Sequence, residues 1–206
     1  MRVSRTKFKL TTGLSAMVLP VVALLAIAGN TIVAGPAQAA KDKKGADPIV
    51  EFDTTKGVIK AVIYQHDAPI TSNNFLDLVN RKFYDGLTFH RYEPGFCIQG
   101  GDPKGTGTGN FVDPTTGKTR TIKLEKKDNI KHDQAGILAM ARSSDPDSAS
   151  CQFYFTLDKA DFLDNPPGYA AFGKVVEGLD VVLSLRKGDK MTKVFEVKSA
   201  AKGSQG

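Results

Sequence analysis

The chain has 206 residues, 41% of them hydrophobic and 24% charged, with no tryptophan and a formal net charge of +6. That length suffices for one ordinary domain with a sizeable core, and the composition excludes a disordered or wholly membrane-embedded protein. Residues 1–39 hold Arg2, Arg5, Lys7 and Lys9 and no acid, so the remainder carries 24 basic against 22 acidic residues, or +2, which gives no ground for a nucleic-acid partner.

The first 39 residues are read as a secretory leader. A basic start is followed by the apolar run Gly13 to Ala28 and by the small-x-small end Ala37-Gln38-Ala39. The apolar run is shorter than the roughly 20 residues a spanning helix needs, and it contains Pro20. Cleavage after Ala39 is therefore expected over a permanent anchor, giving an exported protein, periplasmic or secreted, with no stable membrane insertion. Residues 40–47 are charged and read as a solvated linker, residues 48–198 as one domain, and residues 199–206 as a flexible tail.

Two β-rich runs, Ile49–Asp53 and Gly57–Tyr64, meet at Thr54-Thr55-Lys56-Gly57, which is a hairpin signal. A helix is expected over Thr71–Asn80, with Phe75, Leu78 and Val79 on one face and Thr71 or Ser72 as its N-cap. Short strands are expected at Leu87–Tyr92, Phe96–Gln99, Ile137–Ala141, Cys151–Thr156, Ala171–Val176 and Val194–Lys198. A second helix is expected at Leu179–Arg186. Many short strands and only two helices argue for a mainly β fold, a closed sheet more than βαβ units.

Within FHRYEPGFCIQGGDPKGTGTGN, Phe89 to Asn110, the glycines invite a phosphate-loop reading. The Walker spacing is missing, and no helix start follows, so they read as a turn needing positive φ at several positions. Strand parity places Arg91 on the face of Leu87 and Phe89, opposite Thr88, His90 and Tyr92. Parity alone does not decide between a snorkelling arginine and a guanidinium fixed at the rim of an apolar pocket. The three histidines, His66, His90 and His132, lack metal-ligand spacing and read as loop or core residues. Ser143-Ser144-Asp145-Pro146-Asp147-Ser148 lacks a calcium-loop register and reads as a turn. No metal or cofactor is expected.

FHRYEPGFCIQGGDPKGTGTG resembles the cyclophilin phrase around its catalytic arginine. GILAMARSSDPDSASCQFYFTL and FLD…GYAAFGKVVEGLDVV resemble two further cyclophilin signatures, and IVEFDTTKGVIKAVIY…APITSNNFLDLV its first hairpin and helix. The resemblance runs co-linearly from about Ile49 to Val197. It implies a closed eight-stranded antiparallel β-barrel capped by two helices, a monomer, and peptidyl-prolyl cis-trans isomerisation on proline-containing polypeptides without a cofactor. By the same resemblance Arg91 is the catalytic donor and Gln99 orients it. Phe96, Cys97, Tyr154 and Leu163 line the proline pocket. Ala141, Arg142 and Gln152 bind the residues preceding proline, and Phe162 and Tyr169 complete the rim.

The chain departs from the family at several of these positions. Cys97 stands where many members have methionine, which removes bulk and adds an oxidisable thiol. Tyr154 replaces a common phenylalanine and needs a hydrogen-bond partner if buried. Arg142, Phe162 and Tyr169 stand where eukaryotic members often have asparagine, tryptophan and histidine, and Pro166-Pro167 lengthens the loop before Tyr169. The change at Phe162 argues against tight cyclosporin binding. Parity turns Cys97 and Cys151 to opposite faces, so two free thiols are expected. Two rivals to the folding enzyme are a cyclophilin-like module that binds proline segments without turnover and a structural envelope protein held by its N-terminus.

Overall fold

The computed structural model describes residues 46–197. The expected leader and C-terminal tail, most of the expected linker and Lys198 lie outside the described residues. Eight strands form one antiparallel sheet: β1 (Ile49–Thr54), β2 (Gly57–Ile63), β3 (Phe89–Glu93), β4 (Cys97–Gly100), β5 (Ile137–Met140), β6 (Phe153–Thr156), β7 (Ala171–Glu177) and β8 (Met191–Val197). Their order is β3-β4-β6-β5-β7-β2-β1-β8. Helices α1 (Pro69–Asn80) and α2 (Leu179–Ser184) complete the fold, with short 3-10 turns at Pro146–Ser148 and Asp161–Asp164. All eight expected strands and both helices are present, with boundaries shifted by up to three residues.

The sheet curls without closing fully, which refines the expected closed barrel. Its edge strands are β3 and β8, and the residues just before them, Thr88 and Lys190, form one antiparallel bridge, flanked by bonds such as Phe89 N–H to the Asp189 carbonyl at 2.8 Å. Beyond that point the edge of β3 opposite β4 has no strand to pair with. Its partner segment ends at Gly188, whose φ of +98° turns the chain away toward α2.

Inside the curl lies an aromatic core. Phe52, Phe75, Phe153, Phe155 and Phe172 are fully buried, and α1 contributes Phe75, whose ring meets that of Phe153 edge-on at 5.5 Å. Alternation assigns Ile98 to this interior with Phe155, its register partner, while Cys97 and Gln99 on β4 and Tyr154 on β6 take the outer face. Cys151 shares parity with Phe153 and is fully buried; Cys97 faces the other way, and both thiols are free.

Two local expectations are corrected. The α1 N-cap is Ala68, with Pro69 opening the helix, and Thr71 and Ser72 lie buried inside its first turn. Proline supplies the helical φ and withholds an N–H that would have no partner. The cap comes instead from afar: the Thr71 N–H donates to Glu125 Oε2 at 2.8 Å. The parity of β3 is also broken. Phe89 pairs with Gly100 and Arg91 with Gln99, a bulge that leaves His90 as the extra residue. Phe89 therefore points into the core and Arg91 to the outer face, instead of sharing one face.

Removing the distant cap should be costly because it strands a buried donor. We expect Glu125→Ala to lower unfolding stability by about 1–2 kcal/mol in urea denaturation, whereas Glu125→Gln, which keeps an acceptor oxygen, loses less.

Candidate active site

The outer face of β3, β4 and β6 builds the site. Arg91 Nη1 reaches Gln99 Oε1 at 3.4 Å and Cys97 Sγ at 3.2 Å. Its Nε lies 3.5 Å from Glu93 Oε1, and its guanidinium carbon sits 5.7 Å from the centre of the Phe96 ring. Gln99 Nε2 donates to Gln152 Oε1 at 2.9 Å, and Gln152 Nε2 donates to the carbonyls of Gly107 (3.1 Å) and Gly109 (2.8 Å). The arginine is thus positioned by two amide side chains in series, anchored on the glycine-rich segment.

That segment is a turn, as expected, with positive φ at Gly101, Gly105 and Gly107. Asp102, which is buried, ties it down by accepting the backbone N–H groups of Lys104 (2.7 Å), Thr106 (2.9 Å) and Gly107. Burial alone would raise the Asp102 carboxyl, but these N–H donors outweigh it and hold it below its ordinary value.

A cavity of about 200 Å³, apolar over part of its lining, opens beside Arg91. Phe96, Cys97, Tyr154 and Leu163 line it, with Ala141, Arg142 and Tyr169 along its edge. Phe162 is 60% exposed and does not line this cavity, although its ring lies 5.3 Å from that of Phe96, at the rim. A second, polar cavity of about 360 Å³ adjoins it, sharing Gln99, Ala141 and Arg142 and adding Gln152 with the glycine turn. Every expected site residue therefore falls in one connected region.

Several contributors were not legible beforehand. His132 is fully buried between Tyr154 and Asp164: Nδ1 meets Asp164 Oδ1 at 2.8 Å and Nε2 meets the Tyr154 hydroxyl at 2.9 Å. A carboxylate can only accept, so Nδ1 donates to Asp164, while Nε2 and the Tyr154 hydroxyl satisfy one another. Burial pushes the Tyr154 phenol well above its ordinary value, so the hydroxyl keeps its proton. The need of Tyr154 for a partner was readable in the sequence; the identity of the partner was not. Asp102, Glu93 and the serines of the polar cavity were likewise unassigned. Arg142 donates to the Gly168 carbonyl from Nε (3.1 Å) and Nη2 (2.7 Å) and to the Ser143 carbonyl from Nη1 (2.8 Å), and it stacks on Tyr169 at 4.4 Å.

A guanidinium lining a partly apolar cavity, on this sheet, agrees with comparisons to known proteins. The family described as cyclophilin type peptidyl-prolyl cis-trans isomerase/CLD matches residues 49–201. The chain belongs to the cyclophilin family. A peptidyl-prolyl cis-trans isomerase of Acinetobacter baylyi is 41% identical over 140 residues, covering 66% of this chain and 71% of the relative. A putative thylakoid lumen peptidyl-prolyl cis-trans isomerase of Synechocystis is 36% identical over 181 residues, covering 73% of this chain and 47% of that longer protein. A crystal structure of a Cryptosporidium parvum cyclophilin type isomerase, solved in the presence of the dipeptide Ala-Pro, superposes with a TM-score of 0.65. It is 27% identical and covers 73% of this chain and 99% of that one. The cyclophilin fold supports prolyl isomerase activity in this chain.

Both thiols are disfavoured as thiolates. Burial raises Cys97 against the opposing pull of Arg91, and burial pushes Cys151 up to about 11. Iodoacetamide at pH 8 should therefore modify the folded protein at least about tenfold more slowly than the unfolded chain. Unfolding in denaturant should release two titratable thiols; a count of zero under non-reducing conditions would show a disulfide instead.

Proposed function

We propose that this cyclophilin catalyses rotation about Xaa–Pro bonds in exported polypeptides, as a monomeric domain spanning residues 48–198, with Arg91 as the catalytic donor. The observation that carries the reading is the fixed guanidinium of Arg91 lining the partly apolar cavity. Rotation about the peptide bond faces a barrier of about 18–20 kcal/mol because resonance stiffens the C–N bond. At the twisted geometry the prolyl nitrogen regains its lone pair and can accept a hydrogen bond that the planar amide cannot. A donor aimed there binds the transition state better than the ground state, and each 1.36 kcal/mol of that difference is worth about tenfold in rate.

Each part of the site has a task in this scheme. Phe96, Leu163, Tyr154 and Cys97 hold the proline ring still. Gln99 accepts from Arg91 Nη1, so the guanidinium is oriented before substrate arrives, and Gln152, Ala141 and Arg142 receive the neighbouring backbone. No proton changes hands, and the always-charged guanidinium suits a role that demands only donation. The Ala-Pro dipeptide of the Cryptosporidium crystal supports proline-containing segments as substrates. The basic start, apolar run and Ala37-Gln38-Ala39 end support export, as does the thylakoid lumen named for the Synechocystis relative.

In an isomerisation assay on an Xaa-Pro-Phe peptide, Arg91→Ala should cut kcat/KM by about a hundredfold or more at unchanged thermal stability, the scale of losing one preorganised donor. Parent turnover at the uncatalysed rate would replace this reading with a proline-binding module. Separately, the intact mass of protein recovered from producing cells should correspond to a chain beginning near Ala40. A mass that retains residues 1–39 would favour the anchored form.

A further inference from the structure

Resting on the isomerase reading of this site, we propose that Arg142 makes it selective for polypeptides bearing an acidic side chain within two residues of the proline. Among the described residues, the two connected cavities are lined by Arg91 and Arg142 and by no aspartate or glutamate. The two arginines are not equivalent. Arg91 has Glu93 beside its Nε, whereas Arg142 makes no ion pair among the described residues, and all three of its hydrogen bonds go to carbonyls.

A guanidinium has five N–H donors. The bonds to Gly168 and Ser143 use three, one face is covered by Tyr169, and two N–H groups on the terminal nitrogens are left to serve a ligand. Those bonds hold the head still, so little side-chain freedom remains to be lost when a carboxylate docks. Arg142 also stands at the wall shared by the two cavities. A chain with its proline in the apolar cavity advances about 3.3 Å per residue. It therefore brings a side chain one or two residues away alongside Arg142 as it enters the polar one. A cleft in which one wall guanidinium, that of Arg142, is left without an ion-pair partner favours acidic segments over basic ones.

The test uses the purified protein and blocked peptides in which one position, one or two residues before or after the proline, is Glu, Gln or Lys. Isomerisation rates are read by exchange NMR at low salt. At the position that meets Arg142, the kcat/KM of the Glu peptide should exceed that of the Gln peptide by about twofold to fivefold, with Lys below both. The preference should shrink in about 0.5 M salt, where the Debye length falls to roughly 4 Å. Arg142→Gln should bring the Glu-to-Gln ratio to one, and Arg142→Lys should restore part of it. The ratio is internal to each variant, so a general loss of activity does not disturb it. Equal Glu and Gln rates at all four positions in the parent, or a preference that survives in Arg142→Gln, would overturn the proposal. Were turnover absent altogether, the isomerase reading would fall. The same ratio taken from peptide dissociation constants would then still decide the role of Arg142.

Discussion

The site depends on one extra residue in β3. Strand alternation would send Phe89 and Arg91 to the same side of the sheet, where one of them would be wrong: a phenylalanine in water or a guanidinium in the aromatic core. The bulge at His90 resolves this. It leaves Phe89 opposite Gly100, facing the interior, and puts Arg91 opposite Gln99 on the outer face. Burying an unpaired guanidinium would cost several kcal/mol, so the core enforces the bulge as firmly as the bulge serves the site. The close fit at Gly100 belongs to the same arrangement, since a Cβ there would stand 3.0 Å from the Phe89 ring.

With Arg91 on the outer face, the remaining constraint is its aim. Gln99 and Gln152 can each donate and accept, so they pass orientation along a line: the glycine-turn carbonyls fix Gln152, Gln152 fixes Gln99, and Gln99 receives Arg91. An amide with both ends engaged has no freedom to flip. The line ends at Asp102, whose carboxylate gathers three backbone N–H groups of the turn. The glycines that resemble a phosphate loop in sequence thus wrap an anion the chain itself supplies.

Much of this was legible in the sequence, for definite reasons. The strands, both helices and the orientation of the two cysteines follow from local periodicity, which neighbouring residues carry between them. The site residues came from resemblance, because a pocket lined by Phe96, Tyr154 and Leu163 looks like core until the family is known. What escaped was non-local. Glu125 caps a helix 54 positions away, and Asp164 meets His132 across 32. No periodicity encodes such pairs. The parity of Arg91 failed for a different reason: a bulge is a fault in the very alternation used to read the strand.

Tyr154 shows how the site absorbs a departure that seemed to threaten it. A phenol in the wall of a proline pocket would present a polar group to an apolar ring. Here the hydroxyl is engaged by His132 Nε2 at 2.9 Å, so the pocket keeps the aromatic ring. The bond does more than satisfy a donor. Asp164, which accepts from His132 Nδ1, ends the 3-10 turn Asp161–Asp164 that carries Leu163 and Phe162. The Ala160 N–H, just before that turn, donates to the His132 carbonyl at 2.7 Å. A side chain on β6 and the segment bearing the opposite wall are therefore joined through one buried imidazole. Where phenylalanine would leave the two walls in contact only by packing, tyrosine links them by hydrogen bonds whose geometry is directional.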